Sequence, residues 1–169
     1  MEDVIIIDGY NVIFGWPQLA KLASVNFEDA RFKLLNILQN FQGYRGNIVV
    51  VVFDAHRVKG NSGKREQHGN LLVIYTAEDE TADSVIERLV PAYFSKGNVF
   101  VVTSDWDEQR LIFGQGAYRI PTRELWEMID RQRLERESQG VVTPMQKKEL
   151  AQFLDEETRR QLEKWRKEK

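Results

Sequence analysis

The sequence predicts an α/β fold with a mostly parallel central sheet and helices on both of its faces. Three observations carry this reading. Four short runs, Val4–Asp8, Ile48–Asp54, Leu71–Tyr75 and Val99–Thr103, are apolar without polar alternation, the pattern of strands covered on both sides. Segments with helical periodicity lie between most of them, which is the α/β order. The chain has 169 residues, 42% of them hydrophobic and 30% charged, enough apolar material for one real core and too much for a disordered chain.

The elements follow in order. Asn26 can cap a helix whose apolar positions are Phe27, Ala30, Leu34, Ile37, Leu38 and Phe41, with Gly43 and Gly46 near its end. Thr81 can cap a second, with Ala82, Val85, Ile86, Leu89, Val90 and Tyr93 on one face; Pro91 should kink or end it. A short helix is expected from Asp105 to about Phe113. A fifth strand is expected at Ala117–Ile120, and a further helix over Thr122–Glu137 with Leu125, Ile129 and Leu134 inward. Thr143-Pro144 has the signature of a last helix start, followed by a stripe of Leu150, Phe153, Leu154, Leu162 and Trp165. Right-handed crossovers then require a parallel sheet with helices on both faces.

Composition removes several classes of function. There is no cysteine, which excludes disulfides, thiolate zinc sites and a cysteine nucleophile, and two histidines make a His-rich metal site a poor reading. The longest apolar run, Ile48 to Phe53, cannot span a membrane. The acidic start, Met1-Glu2-Asp3, and the short run Val4–Ile7 do not form a secretory signal, so a cytoplasmic location is expected. Net charge is −2, which does not by itself advertise a nucleic-acid binder. Residues 121–169 hold 12 Lys/Arg and 11 Asp/Glu, as against 12 and 15 in the first 120, so a moderately charged body precedes a densely charged tail.

The chemistry lies in where the acids fall. The first strand ends in Asp8, the second in Asp54, and the fourth runs into Ser104-Asp105, with Asp107 two residues on. Asp83 opens the helix after the third strand, just past Glu78-Asp79-Glu80. In open α/β sheets, ligands bind beyond the carboxyl ends of the strands, and all these acids project toward that edge. Ionised carboxylates brought together repel, so some protonate or a cation joins them. Hard oxygen donors suit Mg²⁺ or Mn²⁺, and such an ion is standard equipment for attack on a phosphodiester. Each acid alone could equally be an N-cap or a favourable first-turn charge; four converging are harder to explain that way.

Two further signals adjoin these acids. In Asp8-Gly9-Tyr10-Asn11, Gly9 allows a tight turn out of the strand and Asn11 can turn its amide back toward the carboxylates. The segment from His56 to His68 carries Arg57, Lys59, Lys64 and Arg65 against the single acid Glu66, and its glycines predict a flexible loop suited to a phosphate backbone or merely to solvent. The aromatics Tyr10, Phe14, Trp16 and Trp106 are read first as core or rim packing, with base stacking as the alternative. Gly114-Gln115-Gly116 follows a helix and lacks a third glycine, so it is no phosphate loop.

VIIIDGYNVI at 4–13 resembles the opening of the NYN domain family, relatives of the PIN nuclease domain. VVVVFDAH at 49–56, TAEDETADSVIE at 76–87 and VVTSDWDEQRLIFGQGA at 101–117 extend the likeness to the YacP-like bacterial branch, over roughly residues 3–137. The resemblance implies a PIN-like three-layer fold, with its five strands in the order 3-2-1-4-5 and the strands of Asp8 and Asp105 adjacent. It implies a nuclease domain over 1–140; the charged helical extension over 141–169 lies outside the likeness and rests on the helical pattern and charge of the tail alone. By position it makes Asp8, Asn11, Asp83 and Asp105 catalytic, gives Asp107 a place with Asp8, Asp83 and Asp105 as metal ligands, and leaves Asp54, Glu80 and Ser104 in support. The implied function is a metal-dependent endoribonuclease, with messenger RNA as substrate and the ribosome as partner. An RNA- or ribosome-binding module with little catalysis is the alternative, though binding alone gains nothing from acids that repel phosphate. An aspartyl phosphotransferase or receiver-like domain is the third reading; Tyr10 stands where a dehalogenase-type motif needs a second Asp, and no paired acid or later lysine is visible.

Overall fold

The structure, a computed structural model, describes the backbone of residues 2–45, 47–57, 60, 62–104 and 114–138, and the side chains of all of these except 42–45 and 57. The helix expected from Asp105 and the one expected from Thr143 lie outside the described residues. The elements are β1 (Val4–Asp8), α1 (Gly9–Gly15), α2 (Pro17–Ala23), α3 (Phe27–Arg45), β2 (Ile48–Phe53), a single 3-10 turn (Ala55–Arg57), β3 (Arg65–His68), β4 (Leu71–Tyr75), α4 (Ala82–Tyr93), β5 (Val99–Val102), β6 (Tyr118–Ile120) and α5 (Thr122–Ser138).

The strands form one sheet in the order β3-β4-β2-β1-β5-β6. All neighbours are parallel except β3, which runs antiparallel to β4. Without β3 the order is the one the resemblance implies, with the strand of Asp8 in the centre. Alternate residues of each strand feed opposite faces. Ile5, Ile7, Val49, Val51, Phe53, Val73 and Tyr75 pack with α1, α2, α3 and Leu125 of α5. Val4, Ile6, Val50, Val52, Ile74, Val99 and Val101 pack against Ala82, Val85, Ile86 and Val90 of α4. Both faces are covered, which explains why the strand sequences show no polar alternation.

The predicted caps form. Asn26 Oδ1 accepts from the backbone N–H of Glu28 (2.9 Å) and Asp29 (3.3 Å) at the start of α3. Thr81 and Ser84 make a reciprocal capping box on α4. Pro91 sits inside α4 rather than ending it. The carbonyl it would leave without a helical donor is that of Glu87, and Gln115 Nε2 donates to it (3.4 Å).

Two expectations are corrected. The segment His56–His68 is not one flexible loop: Arg65–His68 is an edge strand, and the ladder continues through Lys64 O, which accepts from Tyr75 N (2.9 Å), and Gly63 N, which donates to Thr76 O (3.0 Å). All four residues of β3 are exposed, so no apolar pattern marks the strand. Gly9, for its part, is not in the left-handed region. Its need for glycine is steric, because a Cβ there would run into the ring of fully buried Phe53. At the other end of α1, a Cβ on Gly15 would come 2.6 Å from Thr122 Oγ1. Trp16 Nε1 donates to Thr122 O (2.7 Å) just beyond. Since Phe53 ends β2 and Thr122 follows β6, α1 runs across the carboxyl edge of the sheet.

Gly9→Ala should therefore lower stability by about 1–3 kcal/mol through overpacking against Phe53. The check is a urea titration, in which the midpoint should fall at unchanged slope. A parental midpoint would show that Phe53 has room to yield.

Candidate functional site

The site is built around the end of β1. This strand is buried at all five positions, and Asp8 closes it with only 5% of its surface exposed. Asp8 is also the N-cap of α1, since its Oδ1 accepts from Asn11 N (3.4 Å). Asn11 then folds its side chain back: Nδ2 donates to Asp8 Oδ2 at 2.6 Å. The other end of the same amide, Oδ1, accepts from Ser104 Oγ at 2.5 Å. Ser104 lies two residues beyond β5, so the chain Ser104, Asn11, Asp8 joins the carboxyl ends of the two adjacent strands β5 and β1. From β1 the chain crosses first to β2 on one side and later to β5 on the other. That is the switch point, where open α/β sheets leave a crevice.

Asp83 is half-buried in the first turn of α4. Its neighbour Ala82 packs in one apolar cluster with Val52, and Val52 is the register partner of Asp8. The start of α4 thus lies at the same edge as Asp8. Glu80 is engaged elsewhere: Oε2 takes a bond from Arg88 Nη2 (2.7 Å) and Oε1 one from Ala77 N (3.4 Å). The Arg88 bond, helped by Ala77, holds the Glu80 carboxyl below its ordinary range. Asp54 follows β2, half-buried, and its Oδ1 accepts from His56 N (3.0 Å), a local turn of the loop onto itself. Asp105 and Asp107 lie outside the described residues. Among the described residues, no three acidic or histidine side chains close on a point that could hold a metal ion. A magnesium ion asks for less, since it commonly keeps several waters and one or two carboxylates.

Cations gather beside these acids, at the end of β4. Register places Arg65 opposite Ile74 and Lys64 opposite Tyr75, both exposed. Arg65 is close enough to Glu80 for its charge to help lower that carboxyl. Arg31, in the second turn of α3, sets its guanidinium over the Tyr75 ring at 5.5 Å. Burial pushes the Tyr75 hydroxyl up, Arg31 opposes this, and Glu66 adds to it. Of the other two basic residues singled out in the sequence, Lys59 lies outside the described residues and Arg57 is described in its backbone alone. Sequence reading missed Arg31 and Thr76. Thr76 is buried and its Oγ1 accepts from Ala55 N (2.9 Å), which fixes the loop that leaves β2. Arg31 had one available signal, its spacing of four from Phe27 on the same helical face.

The aromatics divide. Tyr10 and Trp16 are buried, as expected of packing residues. Tyr10 makes edge contacts with Phe53 (5.5 Å) and Phe27 (5.7 Å), and Phe53 stacks on Tyr75 (5.7 Å). Trp106 lies outside the described residues. Among the described residues, no helix is long and apolar enough to cross a membrane.

Comparison with known proteins agrees with this architecture. The model of the YacP-like NYN domain matches residues 5–167, through the charged tail as well as the body. A Bacillus subtilis (strain 168) relative, described as uncharacterized protein YacP, is 42% identical over 167 residues, 97% of this chain and 96% of the relative. The crystal structure of Rae1 (YacP) from Bacillus subtilis superposes with a TM-score of 0.70 at 41% identity, covering 98% of this chain and 95% of that one. A tryptophan-to-leucine mutant of the same protein gives 0.68 at 36% identity, with 95% and 98% covered. The chain belongs to the YacP-like NYN domain family, a PIN-like nuclease family.

Proposed function

We propose that this chain is a metal-dependent endoribonuclease that cuts RNA phosphodiester bonds, with messenger RNA as substrate, the ribosome as partner and the cytoplasm as its location. The nuclease body is residues 1–140, and 141–169 is its charged helical extension. The observation that carries the reading is the chain of hydrogen bonds from Ser104 through Asn11 to Asp8 at the switch point. A buried carboxylate is costly unless it is hydrogen-bonded or paired, and here it is held in one orientation by an amide that is itself held.

The donor set fits Mg²⁺ or Mn²⁺: oxygen ligands only, from Asp8 and Asp83, with Asp105 and Asp107 completing the set by position. Such an ion, when bound, supplies a nucleophile from water at neutral pH and offsets charge on the phosphoryl oxygens. Asn11 keeps the Asp8 carboxylate from turning, and Ser104 fixes which way the Asn11 amide faces. Glu80, committed to Arg88, leaves Asp83 as the carboxylate of this segment that serves the site. Asp54 supports the loop leaving β2. Arg57, Lys59, Lys64 and Arg65 contact backbone phosphates, which is sequence-tolerant and salt-sensitive binding.

Asp→Asn at position 8, 83 or 105 should abolish cleavage of an unpaired RNA while the circular dichroism stays native, and excess EDTA should do the same to the parent. Asn11→Ala should slow cleavage by about 10- to 100-fold, the usual cost of losing a residue that orients a ligand. Full activity in EDTA sinks the metal; RNA binding without cleavage under any divalent ion favours the binding-module alternative. In-line attack by water on phosphorus expels the 3′-oxygen, so the products should carry a 5′-phosphate and a 3′-hydroxyl. Mapping of the ends by ligation reads this directly, and a 2′,3′-cyclic phosphate would contradict it. Replacing Arg57, Lys59, Lys64 and Arg65 together by Gln should weaken RNA binding and reduce the slope of log K against log salt by up to about four times 0.7 on a single strand. A slope equal to the parent's would assign these four residues to solvent.

A further inference from the structure

Phe14 is half exposed (50%), although it is a large apolar ring beside a packed core. It lies three residues after Asn11 in α1, so the two share a helical face with their Cβ atoms about 5–6 Å apart. Its ring is held from two sides, at 5.7 Å from Phe27 in a T-shaped contact and at 6.5 Å from Tyr10 in a tilted one. Through Tyr10 it connects to Phe53, which ends β2, so Phe14 stands on the rim of the edge that carries Asp8. The other aromatic rings that are largely exposed among the described residues stand elsewhere. Phe94 follows α4, on the way to the opposite edge of the sheet. Tyr118 opens β6 and stacks on Phe100. Phe32 is on the outward side of α3.

We infer that Phe14 is a stacking platform for an unpaired nucleobase of the RNA strand held at the Asp8–Asn11 site. This rests on the RNA-cleaving reading above. A ring already fixed by its neighbours loses little freedom when a base lies on it, and stacking asks only for a planar π-face, so it tolerates any base. It supplies an attraction that does not depend on charge at an edge where the acids repel phosphate. At a rise of 1.5 Å per residue, Phe14 is about 4.5 Å along the helix from Asn11 and about 9 Å from Asp8, which puts the stacked base about one to two nucleotides from a phosphate at Asp8.

The test uses the full chain carrying Asp8→Asn, so that nothing is cut, and a short unpaired oligonucleotide with 2-aminopurine at successive positions. Binding should quench the probe most strongly at one position. Phe14→Ala should weaken binding about 5- to 150-fold and relieve that quench. Phe14→Trp should keep both. Phe14→Leu, which keeps apolar bulk and whose melting temperature checks the fold, should lose the quench as Ala does. If Phe14→Leu binds and quenches like the parent while the wild-type chain cuts RNA, the platform is overturned alone, and the ring is a packing or protein-contact residue. If the wild-type chain neither binds nor cuts RNA, the functional reading falls and this inference with it.

Discussion

The close approach of Gly9 to Phe53 is the constraint on which the site depends. Phe53 is the last residue of β2 and has no exposed surface. Only a residue without Cβ can turn out of β1 directly beneath its ring. From there α1 packs with α2 and α3, and its far end, Gly15, meets Thr122. At its start Asn11 returns its side chain to the capping Asp8, and Ser104 reaches Asn11 from the adjacent strand β5.

The same constraint explains how a nearly buried carboxylate is tolerated. A charge removed from water costs several kcal/mol unless hydrogen bonds replace its hydration. Asp8 receives two from Asn11, one from backbone and one from side chain. The side-chain bond is short, at 2.6 Å. Capping a helix and standing at the switch point are thus one arrangement. The capping geometry is what fixes the carboxylate.

What was legible in the sequence follows from which forces leave a local trace. The four inner parallel strands, β1, β2, β4 and β5, were legible because both of their faces are covered, and continuous apolar runs record that. Edge strand β3 was not: Arg65-Glu66-Gln67-His68 buries nothing, and its ladder to β4 is made by backbone atoms that any side chains would permit. Helices α1 and α2 escaped for a related reason. Each is seven residues long, too short to be stable without tertiary packing, and α1 is bracketed by glycines whose reason, Phe53 and Thr122, lies far along the chain. Asp8 and Asn11 were legible as a pair because they are three residues apart. Their link to Ser104 spans 93 positions and exists only because β1 and β5 are adjacent. Glu80 read as one more acid of a cluster until the fold paired it with Arg88, eight residues on.

That pairing bears on how an acidic edge meets an anionic polymer. Were Glu78, Asp79, Glu80 and Asp83 all directed at one point, no strand of phosphates would approach without a large counter-charge. The fold divides them. Glu80 is neutralised by Arg88 with help from Arg65, and Asp83 is set apart in the first turn of α4. The hairpin of β3 and β4 then carries Lys64 and Arg65 to the same edge, while Arg31 is drawn over Tyr75. Lys64 and Arg65 stand on the β3 side of this hairpin, three strands from Asp8 in the order β3-β4-β2-β1. At about 4.8 Å between strands, that is roughly 14 Å, more than the Debye length of about 10 Å at 0.1 M salt. In the function proposed above, cations at that distance attract phosphates flanking the site while the carboxylate at its centre keeps its charge.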